Sequence, residues 1–373
     1  MQRLRIIRDP SPDIAGESAE AFLGNLAGPV GLLFSGADAT RTRALVTLLH
    51  GNEPSGLFAL RRYLLERSTP AVNLLCIVAS VHAALEAPIF THRMLPRARD
   101  LNRCFRPPFD DEQGRLAEAI LAALGEHRPE AVIDMHNTSG SGPSFGVCTH
   151  VDRQHDALIA MFTQRLVLSE LRLGALMEIS DSRCPVVTIE VGGRGDEAAH
   201  RLAWEGLKRY AKAERVLAGD MDAGQELERF HAPVRLELRD GVTLGYAPAV
   251  LPGRDITLNA DIEHHNFGVV RRGTALGWVT REPQSLFRAV DASGRCAVSA
   301  LVRSESGVLC AAQDLKLFMI TTNAAIAESD CLFYAVSGSG GPLAALPPAP
   351  RGSTVDASHE ATRRMTGEVS DQF

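Results

Sequence analysis

Short apolar runs alternate with longer amphipathic stretches from the start of the chain to about residue 217. Runs rich in leucine and β-branched residues indicate strands, whereas apolar positions that recur every three or four residues indicate helices. The pattern predicts strands over Gly31–Ser35, Ala44–Leu49, Asn73–Ser80, Ala131–Met135, Ser144–Thr149 and Val186–Val191. It predicts helices over Ser55–Glu66, Asp111–His127, Arg153–Leu171 and Asp196–Leu217. Because several of these strands are apolar on both faces, we expect helices on both sides of one sheet, in a three-layer α/β domain over residues 1–217.

A different pattern begins after residue 217. Short apolar runs in residues 231–251, 266–279 and 307–313 are broken at close intervals by Gly, Pro and Asp, without long helical patterns. This spacing predicts a smaller β-rich domain over residues 218–337. Residues 338–373 are rich in Gly, Pro and Ser, a composition that predicts a flexible tail.

Length and composition agree with two globular domains and exclude several classes of function. The chain has 373 residues, of which 45% are hydrophobic and 23% charged. Its 39 basic and 45 acidic residues give a formal net charge of −6, so we expect no nucleic-acid partner. No apolar stretch reaches the roughly 18 residues of a membrane span, and Asp9 and Pro10 interrupt the amino-terminal segment before a signal peptide forms. We expect a soluble, cytoplasmic protein without a membrane partner, and the sequence leaves a homo-oligomer open.

The cysteines restrict the kinds of metal site that the chain can build. Seven cysteines lie between Cys76 and Cys331 with no CxxC pair, which fits neither a disulfide framework nor a zinc site with cysteine ligands. Any metal ligands must therefore come from carboxylates and from the 12 histidines.

One strand-to-helix turn carries the first candidate ligands. The apolar run Ala44–Leu49 leads into His50, and Pro54 suits the first turn of a helix. His50 and Glu53 are three residues apart, so their side chains can converge on one ion across the turn. Alone, this pair is also typical of an incidental histidine beside a capped helix.

A second strand adds a third candidate ligand. His136 stands at the end of an apolar run and precedes a Gly/Ser-rich loop, and open α/β sheets build their sites at the carboxyl ends of strands. Together with His50 and Glu53 it would form a His₂Glu set with an open fourth position, which is typical of catalytic zinc. Asp134 lies on the same side of the strand and is expected to accept the second ring N–H of His136. By itself, His136 also fits a hydrogen-bonded core histidine.

A third strand places a carboxylate among apolar residues. Glu190 closes the run that begins at Val186 and is followed by two glycines. A carboxylate is costly to bury unless it has a partner or a task. Hydrolysis needs a proton acceptor, and a glutamate with a raised pKa suits that work near neutral pH. We predict that Glu190 is the general base; the alternative is a structural glutamate in a salt bridge.

An arginine-rich loop supplies candidate substrate contacts. The guanidinium of Arg103 matches a carboxylate with two parallel hydrogen bonds, and Asn102 adds a donor and an acceptor beside it. Asp100 is expected to hold Arg103 in place, although the segment alone is also typical of an ordinary charged loop. The loop concentrates five arginines, which suits a small substrate that bears a carboxylate; they are Arg93, Arg97, Arg99, Arg103 and Arg106.

Taken together, four motifs resemble those of the succinylglutamate desuccinylase/aspartoacylase family, a branch of the zinc carboxypeptidase-like hydrolases. They are HGNE, DLNR, IDMHNTSG and TIEVGG, in the family's order and approximate spacing, between about Leu32 and Tyr210. The segment Asn266–Gly268, followed by Arg272–Thr274, is more weakly similar to the family's barrel-like C-terminal domain. The resemblance implies a three-layer zinc-carboxypeptidase-like α/β domain with a mixed central sheet, followed by a smaller β-rich, barrel-like domain.

The resemblance also implies the roles of individual residues. It implies one zinc ion per subunit on His50, Glu53 and His136, with Glu190 as the catalytic acid and base. Asn102 and Arg103 match the family's contacts to the substrate carboxylate.

Three further positions follow from the resemblance less directly. An upstream arginine of the family polarises the scissile carbonyl; Arg93 is the nearest match, with Arg97 and Arg99 as rivals. The His-Asn-Thr sequence is closer to aspartoacylase, which adds Asn137 to the substrate-binding residues. Aspartoacylase carries a tyrosine and an arginine before the glutamate strand; here only Arg183 is expected to substitute, which puts N-acetylaspartate in doubt as the substrate.

The expected activity is zinc-dependent hydrolysis of the amide bond of an N-acyl amino acid or a related small carboxylate. Two alternatives stay open at this point. One is a zinc carboxypeptidase that holds the terminal carboxylate of a peptide with Arg103. The other is a non-catalytic binding protein on the same fold.

Overall fold

The computed structural model describes residues 3–138, 140–170, 172–217, 227–329 and 331–343 of the chain. Most of the predicted tail, residues 344–373, lies outside the described residues. In the first residues of the predicted tail, Gly338 N donates to Asp314 O at 2.8 Å, and Gly340 O accepts from His231 N at 3.0 Å.

A mixed sheet of nine strands organises the first two thirds of the chain. Its strands, in chain order, are β1 Arg5–Arg8, β2 Val30–Phe34, β3 Asp38–Thr47, β4 Val72–Val78, β5 Val132–Thr138, β6 Phe145–Cys148, β7 Arg165–Leu168, β8 Val186–Gly193 and β9 Glu228–His231. They lie side by side in the order β1-β2-β4-β3-β5-β8-β6-β7-β9. The four central strands β4, β3, β5 and β8 are parallel to one another, whereas β2 and β6 run antiparallel to their inner neighbours.

Helices pack against this sheet. They are α1 Ala19–Leu26, α2 Ser55–Glu66, α3 Val81–Leu85, α4 Glu112–His127, α5 Arg153–Ala160 and α6 Glu197–Lys212, together with short 3-10 helices at Pro12–Ala15, Leu101–Arg103 and Leu176–Ile179. One hydrophobic cluster joins α2 and α6 to the sheet, and a separate cluster joins α4 to it. The two clusters use alternate residues of β3, Leu45 in the first and Val46 in the second, so they lie on opposite faces of the sheet.

Two five-stranded sheets form the rest of the described chain. Their strands are β10 Val234–Leu238, β11 Leu244–Tyr246, β12 Ile256–Leu258, β13 Val269–Val270, β14 Ala275–Val279, β15 Phe287–Arg288, β16 Val302–Glu305, β17 Val308–Ala311, β18 Leu315–Phe318 and β19 Phe333–Ser337. The strand orders are β13-β18-β19-β10-β15 and β11-β12-β14-β17-β16. Short helices accompany them: α7 Pro283–Leu286, α8 Val298–Leu301, α9 Ala324–Ser329 and a 3-10 helix at Ile262–His265. The fold is therefore mixed α/β with several sheets, as the sequence predicts.

Several of the predicted elements and boundaries need correction. Helix α5 ends at Ala160 rather than Leu171, because Arg165–Leu168 forms β7; an apolar run of four residues does not distinguish a strand from a helix. Strand β9 pairs with β7, so the nine-stranded sheet extends beyond residue 217. Strand β1 and helix α1 are not among the predicted elements.

No helix in the described parts of the chain is long and apolar enough to cross a membrane.

Candidate metal and catalytic site

The candidate site lies where three neighbouring parallel strands end. Strand β5 pairs in parallel with β3 on one side and with β8 on the other. His50 follows the end of β3, and His136 and Glu190 are register partners on β5 and β8. The sheet topology therefore brings together residues that are far apart in the sequence, at the edge where open α/β sheets build their sites.

The turn from β3 to α2 is held tightly against the arginine-rich loop. Gly51 N donates to Arg93 O at 2.9 Å. A Cβ atom at Gly51 would lie 2.7 Å from His92 O, so only glycine permits this close approach of two backbones. The turn then places Glu53 two residues before Ser55, the first residue of α2.

His50, Glu53 and His136 form a compact, buried group that could hold a metal ion. One potential ligand atom from each lies within 4.8 Å of the others. Glu53 bridges the two imidazoles: its Oε1 is 2.8 Å from His50 Nδ1, and its Oε2 is 2.7 Å from His136 Nδ1. The structure therefore brings together the three predicted ligands.

Two further carboxylates face the opposite nitrogens of the same rings. His50 Nε2 is 3.0 Å from Asp100 Oδ1, and His136 Nε2 is 2.9 Å from Asp134 Oδ1. Carboxylates in this position orient metal-binding imidazoles and raise their basicity. The contact of Asp134 was predicted from its position on β5, whereas Asp100 was predicted to hold Arg103. Nothing in the sequence of the loop points to its contact with His50.

The electrostatic environment separates the pKa values of the two buried glutamates. Burial alone would raise the pKa of Glu53, but the charges of His50 and His136 outweigh burial and hold it well below its usual range. Burial raises the pKa of Glu190 to about 7, with His136 acting in the opposite direction. Burial likewise opposes the charged form of His136, yet Asp134 and Glu53 together raise its pKa well above the ordinary value.

Glu190 has a side-chain oxygen that is available for chemistry. The residue is 9% exposed, and its Oε2 atom has no hydrogen-bond partner among the described residues. A buried, unpaired carboxylate oxygen is costly in a structural residue. With a pKa near 7, this carboxyl group can both accept and return a proton at neutral pH.

The arginine-rich loop brings one of its three candidate arginines to the metal-binding group. Arg93 Nη2 donates to Asp100 Oδ2 at 2.8 Å, and its Nη1 lies 3.8 Å from Glu53 Oε1. Arg99 instead pairs with Asp111, donating to Oδ1 at 2.8 Å, and Arg97 is exposed. Among the rivals that the sequence left open, the geometry therefore favours Arg93.

Asn102 and Arg103 follow Asp100 in the same loop. Asn102 is buried, with Nδ2 3.5 Å from His136 Nε2, while its Oδ1 accepts from Leu176 N at 2.9 Å. Arg103 is half-buried and donates to the backbone oxygen of Asn102 at 2.9 Å. Asn102 thus lies beside His136, and Arg103 is the next residue of the same loop.

The other two predicted substrate-binding residues, Arg183 and Asn137, are placed differently. Arg183 is exposed and precedes Val186, the first residue of β8, whereas Glu190 lies near the other end. At about 3.3 Å per residue, four residues of strand separate Val186 from Glu190 by about 13 Å. Asn137 is buried and donates from Nδ2 to Ser55 Oγ and Gly192 O, at 2.8 and 2.9 Å. Its amide is therefore bound within the protein.

The site combines a group that could hold a metal ion, a buried carboxyl group with a pKa of about 7, and a guanidinium group beside them. These are the components of metal-assisted hydrolysis of a carbonyl compound.

Comparison with known proteins identifies relatives of this chain. Residues 39–203 match the family model described as the Succinylglutamate desuccinylase/Aspartoacylase catalytic domain. The matched segment contains all of the site residues described above. No curated protein sequence matches the chain.

Solved structures share the fold at low sequence identity. The product-bound structure of the ectoine utilization protein EutE (DoeB) from Ruegeria pomeroyi has a TM-score of 0.50 and 17% identity, covering 83% of this chain and 88% of that one. The succinylglutamate desuccinylase from Chromobacterium violaceum has a TM-score of 0.50 and 14% identity, covering 84% and 86%. The succinylglutamate desuccinylase from Vibrio parahaemolyticus has a TM-score of 0.50 and 13% identity, covering 83% and 85%.

Proposed function

Since the chain carries the catalytic domain of the succinylglutamate desuccinylase/aspartoacylase family, we propose that it is a zinc-dependent amidohydrolase. Its proposed substrate is an N-acyl amino acid or a similar small amide that bears a carboxylate. One observation carries the proposal: a buried glutamate with an unpaired oxygen stands in strand register beside a His-Glu-His group. A non-catalytic protein has no physical need for that arrangement.

The donor chemistry of His50, Glu53 and His136 fits zinc. Two imidazoles and one carboxylate form the ligand set of many catalytic zinc sites, and each imidazole here has its other nitrogen within 3.0 Å of a carboxylate oxygen. One zinc ion per subunit would supply Lewis-acid chemistry, by activating water and polarising the scissile carbonyl.

Glu190 would carry the proton through the reaction. Its Oε2 atom takes a proton from the attacking water, and the carboxyl group later gives that proton to the nitrogen of the departing amine. The pKa of about 7 makes both transfers accessible at neutral pH. General acid and base catalysis by one such group typically contributes about 10²–10⁴-fold to the rate.

The arginine-rich loop would bind the charged ends of the substrate. Arg93, which is held by Asp100, is assigned to the carbonyl oxygen that becomes negative in the transition state. Asn102 and Arg103 are assigned to the substrate carboxylate, because together they offer amide and guanidinium donors next to the metal-binding group. A panel of N-acyl amino acids identifies the acyl group and the amino acid.

Some finer expectations stay predictions. These are the zinc-carboxypeptidase-like layering, a separate barrel-like C-terminal domain and a cytoplasmic location.

The decisive experiment combines a substrate panel with two variants. The zinc-loaded protein is assayed on N-acyl amino acids and, in parallel, on a blocked dipeptide, and we expect hydrolysis of the first class only. Glu190→Gln should lower turnover at least a hundredfold and leave zinc bound, whereas His136→Ala should lose zinc, as measured by metal analysis after dialysis.

His155→Ala is the matched control for His136→Ala. His155 is also a buried histidine between polar partners, Asp152 and Ser180, but it lies outside the metal-binding group. It should lose stability and keep zinc. Hydrolysis of the dipeptide alone would identify a carboxypeptidase instead, and a wild-type protein that binds no zinc would refute the proposal.

A further inference from the structure

The side chain of Asn137 connects three segments of the candidate site. Its Oδ1 atom accepts from Ser55 N at 3.0 Å, while Nδ2 donates to Ser55 Oγ at 2.8 Å and to Gly192 O at 2.9 Å. Ser55 opens α2 two residues after Glu53, and Gly192 lies on β8 two residues after Glu190. Asn137 itself follows His136 on β5. One buried amide thus joins the two ligand-bearing segments to the strand of the proposed general base.

Helix α2 obtains its N-terminal cap from this amide. The residue at the N-cap position is Pro54, which makes no side-chain hydrogen bond to the helix. The N–H of Ser55 is satisfied by Asn137 instead, from a different strand. Because a buried N–H without a partner costs about 1–3 kcal/mol, the start of α2 depends on Asn137 for its position.

Both donors of the amide are used within the protein. Asn137 Nδ2 carries two hydrogens, one directed at Ser55 Oγ and the other at Gly192 O. No N–H of this side chain therefore remains for a substrate. The backbone N–H of Asn137 is also directed at the site, where it donates to Glu53 Oε2 at 3.3 Å.

The hydrogen bonds continue away from the site to α6. Ser55 Oγ accepts from Asn137 Nδ2 and forms a second hydrogen bond with His200 Nδ1, at 2.7 Å. The His200 ring packs edge-on against Phe58 of α2, with the ring centroids 5.0 Å apart. The Ser55 hydroxyl is thus held between Asn137 and His200. The backbone N–H of Ser55 needs an acceptor and therefore sets the orientation of the Asn137 amide.

We propose that Asn137 is a positioning residue, whose amide sets the spacing of Glu53, His136 and Glu190, and that it does not bind substrate. This inference rests on the proposed function, in that these residues hold the metal and move the proton. Residues that orient metal ligands typically change metal affinity or activity by about 10–100-fold when they are replaced.

Zinc affinity is the readout that distinguishes positioning from substrate binding. Asn137→Ala should weaken zinc binding at least tenfold in competition with a chromophoric chelator, and should lower kcat with little change in KM. Ser55→Ala keeps the backbone bond to Asn137 Oδ1 and should give a smaller effect in the same direction. If the Asn137→Ala protein does not fold, the Ser55→Ala variant tests the inference in its place.

Thr163→Val is the matched control. Thr163 is a buried side chain in the turn between α5 and β7, where its hydroxyl donates to Ser144 O at 2.8 Å. Its replacement removes a buried hydrogen bond without touching the site, so stability in urea should fall while zinc affinity and kcat stay unchanged.

The outcomes separate this inference from the proposed function. If Asn137→Ala keeps its zinc affinity and has a raised KM, Asn137 binds substrate and the inference is wrong. An equal loss of zinc affinity in Thr163→Val would reduce the effect to general instability and overturn the inference. If the wild type binds zinc but hydrolyses no N-acyl amino acid, only the proposed substrate class fails, because the zinc titrations still decide the role of Asn137. A wild type without zinc affinity would refute the metal site, and this inference with it.

Discussion

Glu53 and Glu190 are both buried at one edge of the sheet, yet their surroundings drive their pKa values apart. Glu53 lies between two imidazoles and stays ionised, because His50 and His136 outweigh the effect of burial on its pKa. Glu190 has no such partner on Oε2, so burial prevails and raises its pKa to about 7. Two carboxyl groups with such different pKa values are suited to different tasks, one to binding a cation and the other to transferring a proton.

The raised pKa of Glu190 predicts how the stability of the metal-free protein depends on pH. The pKa of this carboxyl group is about 7 in the folded chain, whereas its ordinary value is 4.5. The folded chain therefore binds the proton more tightly than the unfolded chain. Between these values the folded state holds more protons than the unfolded state, so this group's contribution to stability is lost as pH rises through that window. Glutamine cannot ionise. Glu190→Gln should therefore be more stable than the wild type at pH 8, by on the order of 3 kcal/mol, and should differ far less at pH 5.

Urea unfolding in the presence of a chelator, at pH 5 and pH 8, measures this difference. Glu66→Gln is the control, because Glu66 lies on the exposed end of α2 and its side chain is 39% exposed. That variant should show the same difference from the wild type at both pH values. A Glu190→Gln variant that also behaved in this way would show that burial does not shift the proton affinity of Glu190.

At the scale of elements, the sequence predicted best where a pattern was long. The predicted bounds of α2 match the structure, and α4 differs by one residue, since each carries several turns of helical periodicity. The three candidate metal ligands, which the structure brings together, were predicted because each one ends or follows an apolar strand. By contrast, β7 and the placements of Arg183 and Asn137 depend on which strands become neighbours and on which end of β8 faces the site. Those facts are tertiary, and a local pattern does not contain them.

The end of α6 shows how a tertiary contact decides an element's boundary. The pattern predicts a helix to Leu217, but α6 ends at Lys212. Arg43 of β3, which is fully buried, donates to Tyr210 O at 2.8 Å and to Glu214 O at 2.9 Å, and it also pairs with Glu130. A buried guanidinium thus satisfies carbonyl groups that a longer helix would have bonded internally.

Arg43→Ala should lower the free energy of unfolding by about 3 kcal/mol or more, because it leaves the carbonyl groups of Tyr210 and Glu214 without this donor and removes the buried charge that pairs with Glu130. Urea unfolding at neutral pH measures the change. Arg41→Ala is the matched control: Arg41 bonds the same carboxylate, with its Nε 2.9 Å from Glu130 Oε2, but its side chain is 39% exposed. An exposed pair of this kind contributes about 0–1 kcal/mol. Equal effects of the two variants would contradict a special role for the buried guanidinium.

At the scale of the whole molecule, an aromatic cluster joins the nine-stranded sheet to the later sheets. Phe145 and Phe230 come from β6 and β9, and Phe318 comes from β18. The ring centroids of Phe230 and Phe318 are 5.9 Å apart, and those of Phe145 and Phe318 are 6.2 Å apart. Nearby, Asn266 Nδ2 donates to Ser141 O at 2.7 Å, in the loop that follows the ligand-bearing strand β5. The two parts of the chain are thus packed together next to the candidate site.

This packing predicts that the two parts unfold in one transition. It also predicts that removing the ring of Phe318 makes them unfold at different urea concentrations. The chain has two tryptophans, Trp204 on α6 and Trp278 on β14, so one reports on each part. In Trp204→Phe and Trp278→Phe backgrounds, the urea midpoints seen by the remaining tryptophan should coincide. Phe318→Ala should lower the free energy of unfolding by about 3–5 kcal/mol and should move the two midpoints apart, because the variant loses contacts that only the joined parts make.

Phe22→Ala is the control, since Phe22 is as deeply buried but lies within the first hydrophobic cluster. It should lower both midpoints together. Midpoints that already differ without any phenylalanine replacement, or that stay together in Phe318→Ala, would show that the aromatic cluster does not couple the two parts.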